Sequence, residues 1–434
     1  MPPASRNPRT IAVGAVVAAL LVVAIVAAAG LGNPLNDFTP YRGRGAITVI
    51  CGVLGLTGAA ALLLRPSPAR PDHLAWFSAI VSTLCVLATV FVWICVGTGH
   101  SLKDVPGSPV SDRRQMAAYL ATHEKELGRP QQIPTGVMIE TLQFTEANNV
   151  KLTGYVWQHL PASDPADKPQ IELPDAVDGG ITDEFFRDRD GDRQVIGWKL
   201  RVTLREHFDY GHYPLDKQAV WLVMWPRATN TVLVPDFSAY PPWHPDEKLG
   251  MYPGLVTGEW EPQFTTYSLD HAQERTNYGR PGTRIDGQIP ELTFSAGLGR
   301  EFLSPLLDRL VPLGVIAMLV FGSLFVVTTD SDRRTLSGFS TWAVIGFCGS
   351  MMLVVSVQHS SLRSATGSTG VVYAEYFYFI LYVVIGLVAL NVVEHTSAKR
   401  FPLVDWRGNA AARLLYWPVI TVLLLATTVG VFLL

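Results

Sequence analysis

Apolar residues dominate seven blocks, 10–31, 46–64, 74–97, 310–329, 339–358, 371–393 and 414–434, with one long polar stretch between the third and the fourth. Each block is about 20 residues, the length a helix needs to cross roughly 30 Å of hydrocarbon. The pattern predicts three membrane helices, an aqueous domain and four more membrane helices. Lys and Arg in the short loops set the orientation. Arg6, Arg9, Arg65, Arg70, Arg333, Arg334, Lys399, Arg400, Arg407 and Arg413 would share one side, against Arg42, Arg44 and Arg363 on the other. That bias puts the N-terminus in the cytoplasm and both residues 98–309 and the C-terminus outside, in a multi-pass protein of the cell membrane. Arg6, Arg9 and the "VAAAG" that ends the first block also have the form of a signal peptide. The block is longer than a usual signal core, so a retained anchor is expected.

Inside the polar stretch the period changes from helix to strand. "SDRRQMAAYLATHEKELG" offers Ser111 or Asp112 as a cap and Gly128 as a stop for one surface helix. After it come "TGVMIETLQF" and "VKLTGYVWQHL", separated by "TEANN", a tight-turn composition. In "WKLRVTLREHF", Trp198, Leu200, Val202 and Leu204 alternate with Lys199, Arg201, Thr203 and Arg205, which predicts one buried and one wet face. "AVWLVMW" is apolar throughout and suits an inner strand, and "TVLVPDF", "GEWEPQFTTYSL" and "PELTFSAGL" are further candidates. Many short strands bounded by Gly, Pro and Asn predict a β-sandwich.

Composition narrows the class. The chain has 434 residues, 48% hydrophobic and 16% charged, with a net charge of −3, which fits a polytopic membrane protein and offers nothing to nucleic acid. Cys51, Cys85, Cys95 and Cys348 all lie in apolar blocks, so the aqueous domain has no thiol for a disulfide or a thiolate metal site. "TDEFFRDRDGDR" places Asp188, Asp190 and Asp192 around Gly191 but lacks the later Glu of a calcium loop, so a solvated hairpin turn is expected. His207, His212 and His244 have no paired metal spacing, although a histidine titrating near neutrality is able to gate a protein. No phosphate loop, nucleophile elbow or His-Glu-x-x-His occurs, so neither an enzyme nor a cofactor is expected.

Two motifs carry a resemblance. The loop "FDYGHYPLDKQ" contains Tyr213, Pro214, Leu215, Asp216, Lys217 and Gln218, and Pro312 follows Arg300 by 12 positions. With strands before them and four helices after, they resemble the pentameric ligand-gated ion channels (the Cys-loop receptor-like superfamily), specifically the prokaryotic branch. That family's loop reads aromatic-Pro-aromatic-Asp-x-Gln, with Leu215 here in place of the second aromatic. Its disulfide positions in animal members fall on Glu206 and Val220, so that bond cannot form. "GYVW" and "LPD", with Glu172 before the latter where the family has tryptophan, are fainter echoes. The likeness covers 133–434; the three N-terminal spans have no counterpart in the family plan.

The resemblance implies a membrane protein with an extracellular β-sandwich followed by a four-helix transmembrane pore domain, preceded by three extra transmembrane helices. The divisions would be 1–97 (helices), 98–132 (helical linker), 133–301 (ligand-binding-like sandwich) and 302–434 (pore domain). The implied function is a ligand- or proton-gated homopentameric channel for small inorganic ions. Its partners would be copies of itself, membrane lipids, a small-molecule or proton agonist and the permeant ion. Glu146, Asp216 and Arg300 are expected to form a coupling cluster with Tyr213 and Pro214, since a charge near the membrane needs a partner and one guanidinium serves two carboxylates. In "FSTWAVIGFCGSMMLVVSVQHSS" the stripe Ser340, Val344, Cys348, Met351, Val355 and Gln358 is expected to line the pore, with a constriction near Met351 and Val355. Another gap placement puts Gly346, Gly349 and Leu353 on the axis instead. Asp330 and Asp332 favour cations but stand beside Arg333 and Arg334. Trp225, Tyr267 and Tyr278 would wall the ligand site; aromatic faces suit an amine, while Arg275, Arg280 and Arg284 suit an anion. The competing readings are a non-conducting receptor or scaffold, and a transporter using Glu375 and Asn391.

Overall fold

The computed structural model describes residues 8–29, 42–67, 71–98, 105–122, 130–164, 168–228, 231–240, 248–273, 288–326, 341–368, 370–396, 406 and 409–434. The chain divides into a helical unit, 1–100 with 210–215 and 302–434, and a β unit, 101–209 with 216–301.

The helical unit contains α1 (Pro8–Ala29), α2 (Arg42–Leu64) and α3 (Pro71–Thr98). After the β unit come α5 (Leu303–Val326), α6 (Thr341–Thr366), α7 (Tyr373–Thr396) and α8 (Ala410–Phe432). Among the described residues six helices are long and apolar enough to span a bilayer, and the apolar stretch of α1, Ala15–Ile25, is shorter. The chain has the helix set of a multi-pass membrane protein.

The expected class, a β-sandwich followed by a separate four-helix pore domain, is corrected by this arrangement. Helices are spread along the chain, and those from both ends share one core. Ala46 and Val49 of α2, Cys85, Val92 and Cys95 of α3, Tyr373 of α7, and Leu425, Val429 and Phe432 of α8 form a single buried cluster. Polar ties reinforce it: Ser78 Oγ donates to Leu414 O at 2.6 Å, and Trp93 Nε1 donates to Tyr373 OH at 2.8 Å. Inside a bilayer helices associate through close packing and hydrogen bonds. Those contacts join the N-terminal helices to the C-terminal ones.

The loop 210–215 completes this unit. Helix α7 begins with orphan N–H groups; Gly211 O accepts from Tyr373 N at 2.9 Å and Tyr213 O from Ala374 N at 3.1 Å. The Tyr213–Pro214 peptide is cis. Leu215 is buried in the shared core, and the His212 ring stacks on Phe432 with centroids 5.3 Å apart.

In the β unit, β1 (Ser108–Val110) precedes α4 (Arg113–Thr122). Asp112 caps α4: its Oδ1 accepts the N–H groups of Arg114 and Gln115, both at 2.8 Å, while Gln115 Oε1 accepts Ser111 N–H at 3.0 Å. The strands that follow are β2 (Gln131–Glu146), β3 (Asn149–Pro161), β4 (Ile171–Glu172), β5 (Ala176–Asp190), β6 (Arg193–Arg205), β7 (Lys217–Pro226), β8 (Thr231–Pro235), β9 (Met251–Val256), β10 (Trp260–Gln273) and β11 (Gln288–Arg300). One sheet has the order β1-β10-β11-β7-β4 and is antiparallel; the other, β5-β6-β3-β2-β8 with β9 on β2, is mixed, because β8 and β9 run parallel to β2.

Trp198, Leu200, Val202 and Leu204 of β6 are buried, as are Val150, Leu152, Val156 and Leu160 of β3. Each such side chain contributes about 1.5–3 kcal/mol by leaving water. Gly154 is required where β3 nears β2, because a Cβ there would stand 2.0 Å from Met138 O. The acidic run forms the β5–β6 turn, with Gly191 at φ +59° between Asp190 and Arg193.

Candidate functional site

Strand register assembles a charged cluster at the end of β11. Pairing of Gly299 with Lys217 brings the residue before β7, Asp216, beside Arg300, and pairing of Trp260 with Arg300 adds the start of β10. Arg300 Nε donates to Asp216 Oδ1 at 2.7 Å and Nη2 donates to Oδ2 at 3.2 Å, a two-pronged contact. Nη1 donates to Glu259 Oε2 at 3.0 Å, and the guanidinium lies 4.2 Å from the centre of the Trp260 ring. Gln218 Nε2 donates to Asp216 Oδ2 at 3.0 Å, while its amide holds the backbone of Asp209. The Asp216 side chain is 1% exposed and that of Arg300 9%, against 49% for Glu259. Such a buried pair is held by mutual attraction, and Asp216 without Arg300 would be a buried charge without a cation.

Glu146 is not part of this cluster, which corrects the expected Glu146–Asp216–Arg300 arrangement. Its Oε2 accepts from Asn149 Nδ2 at 2.8 Å across the β2–β3 turn. Glu259 takes the second carboxylate position because β10, not the β2–β3 hairpin, is the neighbour of β11. The only hint in the sequence was a carboxylate beside the first aromatic of "GEWEPQF".

Glu146 instead lines an open cavity of about 530 Å³ with Asn148, Asn149, Arg205, Glu206 and His207. Both oxygens of Glu206 accept the Trp221 N–H, at 3.1 and 3.0 Å. Burial pushes the Glu206 carboxyl up to about 8; the Trp221 N–H opposes the shift and the charge of Asp175 adds to it. Glu206 was noted in the sequence only as a missing cysteine. Its burial arises from the fold.

The expected ligand wall is also corrected. Tyr267 is buried in the core of the β unit, with its hydroxyl 3.1 Å from Val137 N and 2.7 Å from Tyr240 OH, and burial raises its pKa well above the ordinary value. Trp225 lies on the opposite face of its sheet, where Nε1 donates to Glu291 Oε2 at 3.0 Å. Desolvation pushes the Glu291 carboxyl up, against the Trp225 bond. Tyr278 is outside the described residues. Trp225 and Tyr267 therefore share no wall.

On α6 the expected stripe points inward. Val344, Cys348 and Val355 are buried and Met351 and Gln358 are half-buried, on the side of the helix turned to its neighbours in the chain. Ser340 is outside the described residues. The opposite face presents Gly346, Ser350, Leu353, Val357, Ser360 and Ser364, all exposed, with Leu353 at 66% and Val357 at 63%. Periodicity defines two such faces, and packing inside the chain claimed the more apolar one.

A polar cluster the sequence treated only as a transporter alternative lies at the α6–α7 end. Glu375, fully buried, accepts from Arg363 Nη1 at 2.7 Å and His359 Nε2 at 3.0 Å through Oε1, and from Val372 N–H at 2.9 Å through Oε2. Asn391 has a buried Nδ2 without a hydrogen-bond partner among the described residues. Among the described residues no group of His, Cys, Asp and Glu is placed to hold a metal ion. No family model matches this chain, and no curated protein matches it.

Proposed function

We propose that this chain assembles around an axis into a gated ion-conducting pore, working as the pentameric ligand-gated channels it resembles do. The observation that carries this reading is the open face of α6. A helix long and apolar enough to span a membrane presents Ser350, Ser360 and Ser364 outward in one stripe with Gly346, Leu353 and Val357. Polar groups in a span are retained where they face water or another helix. Copies arranged with these faces inward would line a water path with hydroxyls, and Leu353 and Val357 would form a constriction able to close by dewetting.

In this reading Asp216 and Arg300 are the coupling pair, with Tyr213 and Pro214 in the adjoining loop. The chain crosses between its two units at 215/216 and 301/302, next to both charges. A stimulus that favours one arrangement of the β unit would shift a closed/open equilibrium by its difference in affinity. Protonation of Glu206 is one such stimulus, and a small molecule is another. The N-terminus would be cytoplasmic and the C-terminus outside.

The test is reconstitution of the purified full chain in planar bilayers, with ion substitution, a pH series and mass measurement of the assembly. Unitary currents that disappear on Leu353→Trp, from a particle of five copies, are the expected result. Silence under every pH and every added stimulus refutes conduction and leaves a non-conducting receptor.

A further inference from the structure

The helical unit carries an open apolar cavity of about 500 Å³ between α3, α5, α7 and α8, whose lining includes the exposed side chains of Leu87 and Val311. Leu87 and Trp93 wall it from α3, Gly314 from α5, Phe377 from α7, and Trp417 and Leu424 from α8. Thr83 and the Trp417 indole line it as well, and three polar groups on its walls are already engaged. Ser82 Oγ donates to Ser78 O at 2.9 Å, Thr421 Oγ1 to Trp417 O at 2.9 Å, and Trp93 Nε1 to Tyr373 OH at 2.8 Å. At Gly314 the place a Cβ would take has no atom within 4 Å, so the cavity reaches the backbone of α5.

These features decide the chemistry of an occupant. An open apolar cavity gains dispersion contacts from a chain that fills it. A water molecule needs several polar partners, and walls of this kind hold hydrocarbon in preference. All the walls belong to helices apolar and long enough to lie within a bilayer, where the surrounding medium is itself acyl chains. We infer that this cavity binds one long acyl chain, drawn from the bilayer and held between α3 and the α5, α7 and α8 helices. The site does not depend on whether the protein conducts ions.

Photolabelling of the full chain in phosphatidylcholine vesicles tests the assignment. One arm carries a diazirine on an acyl chain of phosphatidylcholine and the other carries it on a free fatty acid, so the labelled arm identifies the source. Label is expected on Val311–Ala317 and on Trp417–Leu424. It should fall roughly tenfold in Gly314→Leu, the factor that goes with losing a pair of buried methylene contacts. Leucine is also the better helix former, so the variant is expected to fold. Gly322→Leu, on the same helix but outside the cavity, should label as the wild type does. Excess hexadecane should displace label from the wild-type cavity without any substitution. Label that survives both hexadecane and Gly314→Leu, or label confined to outward residues such as Met318, overturns the assignment.

Discussion

Replacing Asp216 by leucine removes the anion that faces Arg300 while roughly keeping the side-chain volume. The guanidinium, 9% exposed, keeps Glu259 at 3.0 Å and the Trp260 ring at 4.2 Å. The cation–π contact offsets only about 0.5–2 kcal/mol, and Glu259 is half in solvent. Breaking one side of a buried pair costs roughly 3–5 kcal/mol, whereas replacing both partners by apolar groups is often close to neutral. In a unit of this size each kcal/mol lowers Tm by about 2–4 °C. Asp216→Leu should therefore lower the melting temperature of the β signal in far-ultraviolet circular dichroism by roughly 6–20 °C. The double variant Asp216→Leu with Arg300→Met should recover most of that loss. The reasoning fails if the single substitution costs less than about 1 kcal/mol, the range of a solvated surface pair, or if the double variant melts at the sum of the two single losses.

Three further outcomes follow from the same contacts. Glu206 binds its proton more tightly folded than unfolded, so its contribution is fully present below its ordinary value of 4.5 and is lost as pH rises through about 8. Glu206→Gln should remove roughly 5 kcal/mol of pH dependence across that window, read as a flatter plot of Tm against pH; an unchanged plot would refute the burial argument. Glu375→Ala should destabilise the helical unit by about 1–3 kcal/mol, because Val372 N–H and His359 lose their acceptor while solvent takes up much of the charge of the half-exposed Arg363. Because Cys85, Cys95 and Cys348 are buried in that unit and the β unit contains no cysteine, a thiol-reactive dye reads its melting separately. Gly154→Ala should cost about 1–3 kcal/mol by driving a methyl group against Met138 O, seen as a lower Tm of the β signal with the dye signal unmoved.

Parts of the candidate site were legible before any coordinates. Asp216 and Arg300 were singled out because a proline loop and a strand end each carry one charge in a setting that demands a partner. Glu259 and Glu206 were not. Glu259 becomes a partner only through the β10–β11 register, and Glu206 becomes a half-buried, desolvated acid only where the fold seats its side chain on the Trp221 N–H of β7. Tyr267 misled for a related reason: an aromatic in a strand has the same local pattern whether it faces ligand or core, and the facing sheet decides. On α6 the spacing defines two faces, and spacing alone does not tell an inward face from an outward one.

Local chemistry determined the long apolar helices, the alternating faces of β3 and β6, the cap at Asp112 and the turn at Gly191. Each depends on neighbours within a few positions, so a one-dimensional pattern specifies it. Tertiary structure decided which helices share a core. It joined α2 and α3 to α7 and α8 through contacts hundreds of residues apart, where every apolar block had looked alike. It also decided which carboxylate Arg300 meets, which face of α6 stays open, and that the four helices around Gly314 leave a cavity between them. Those outcomes depend on shape and register across the chain, and hydrophobic period carries no information about either.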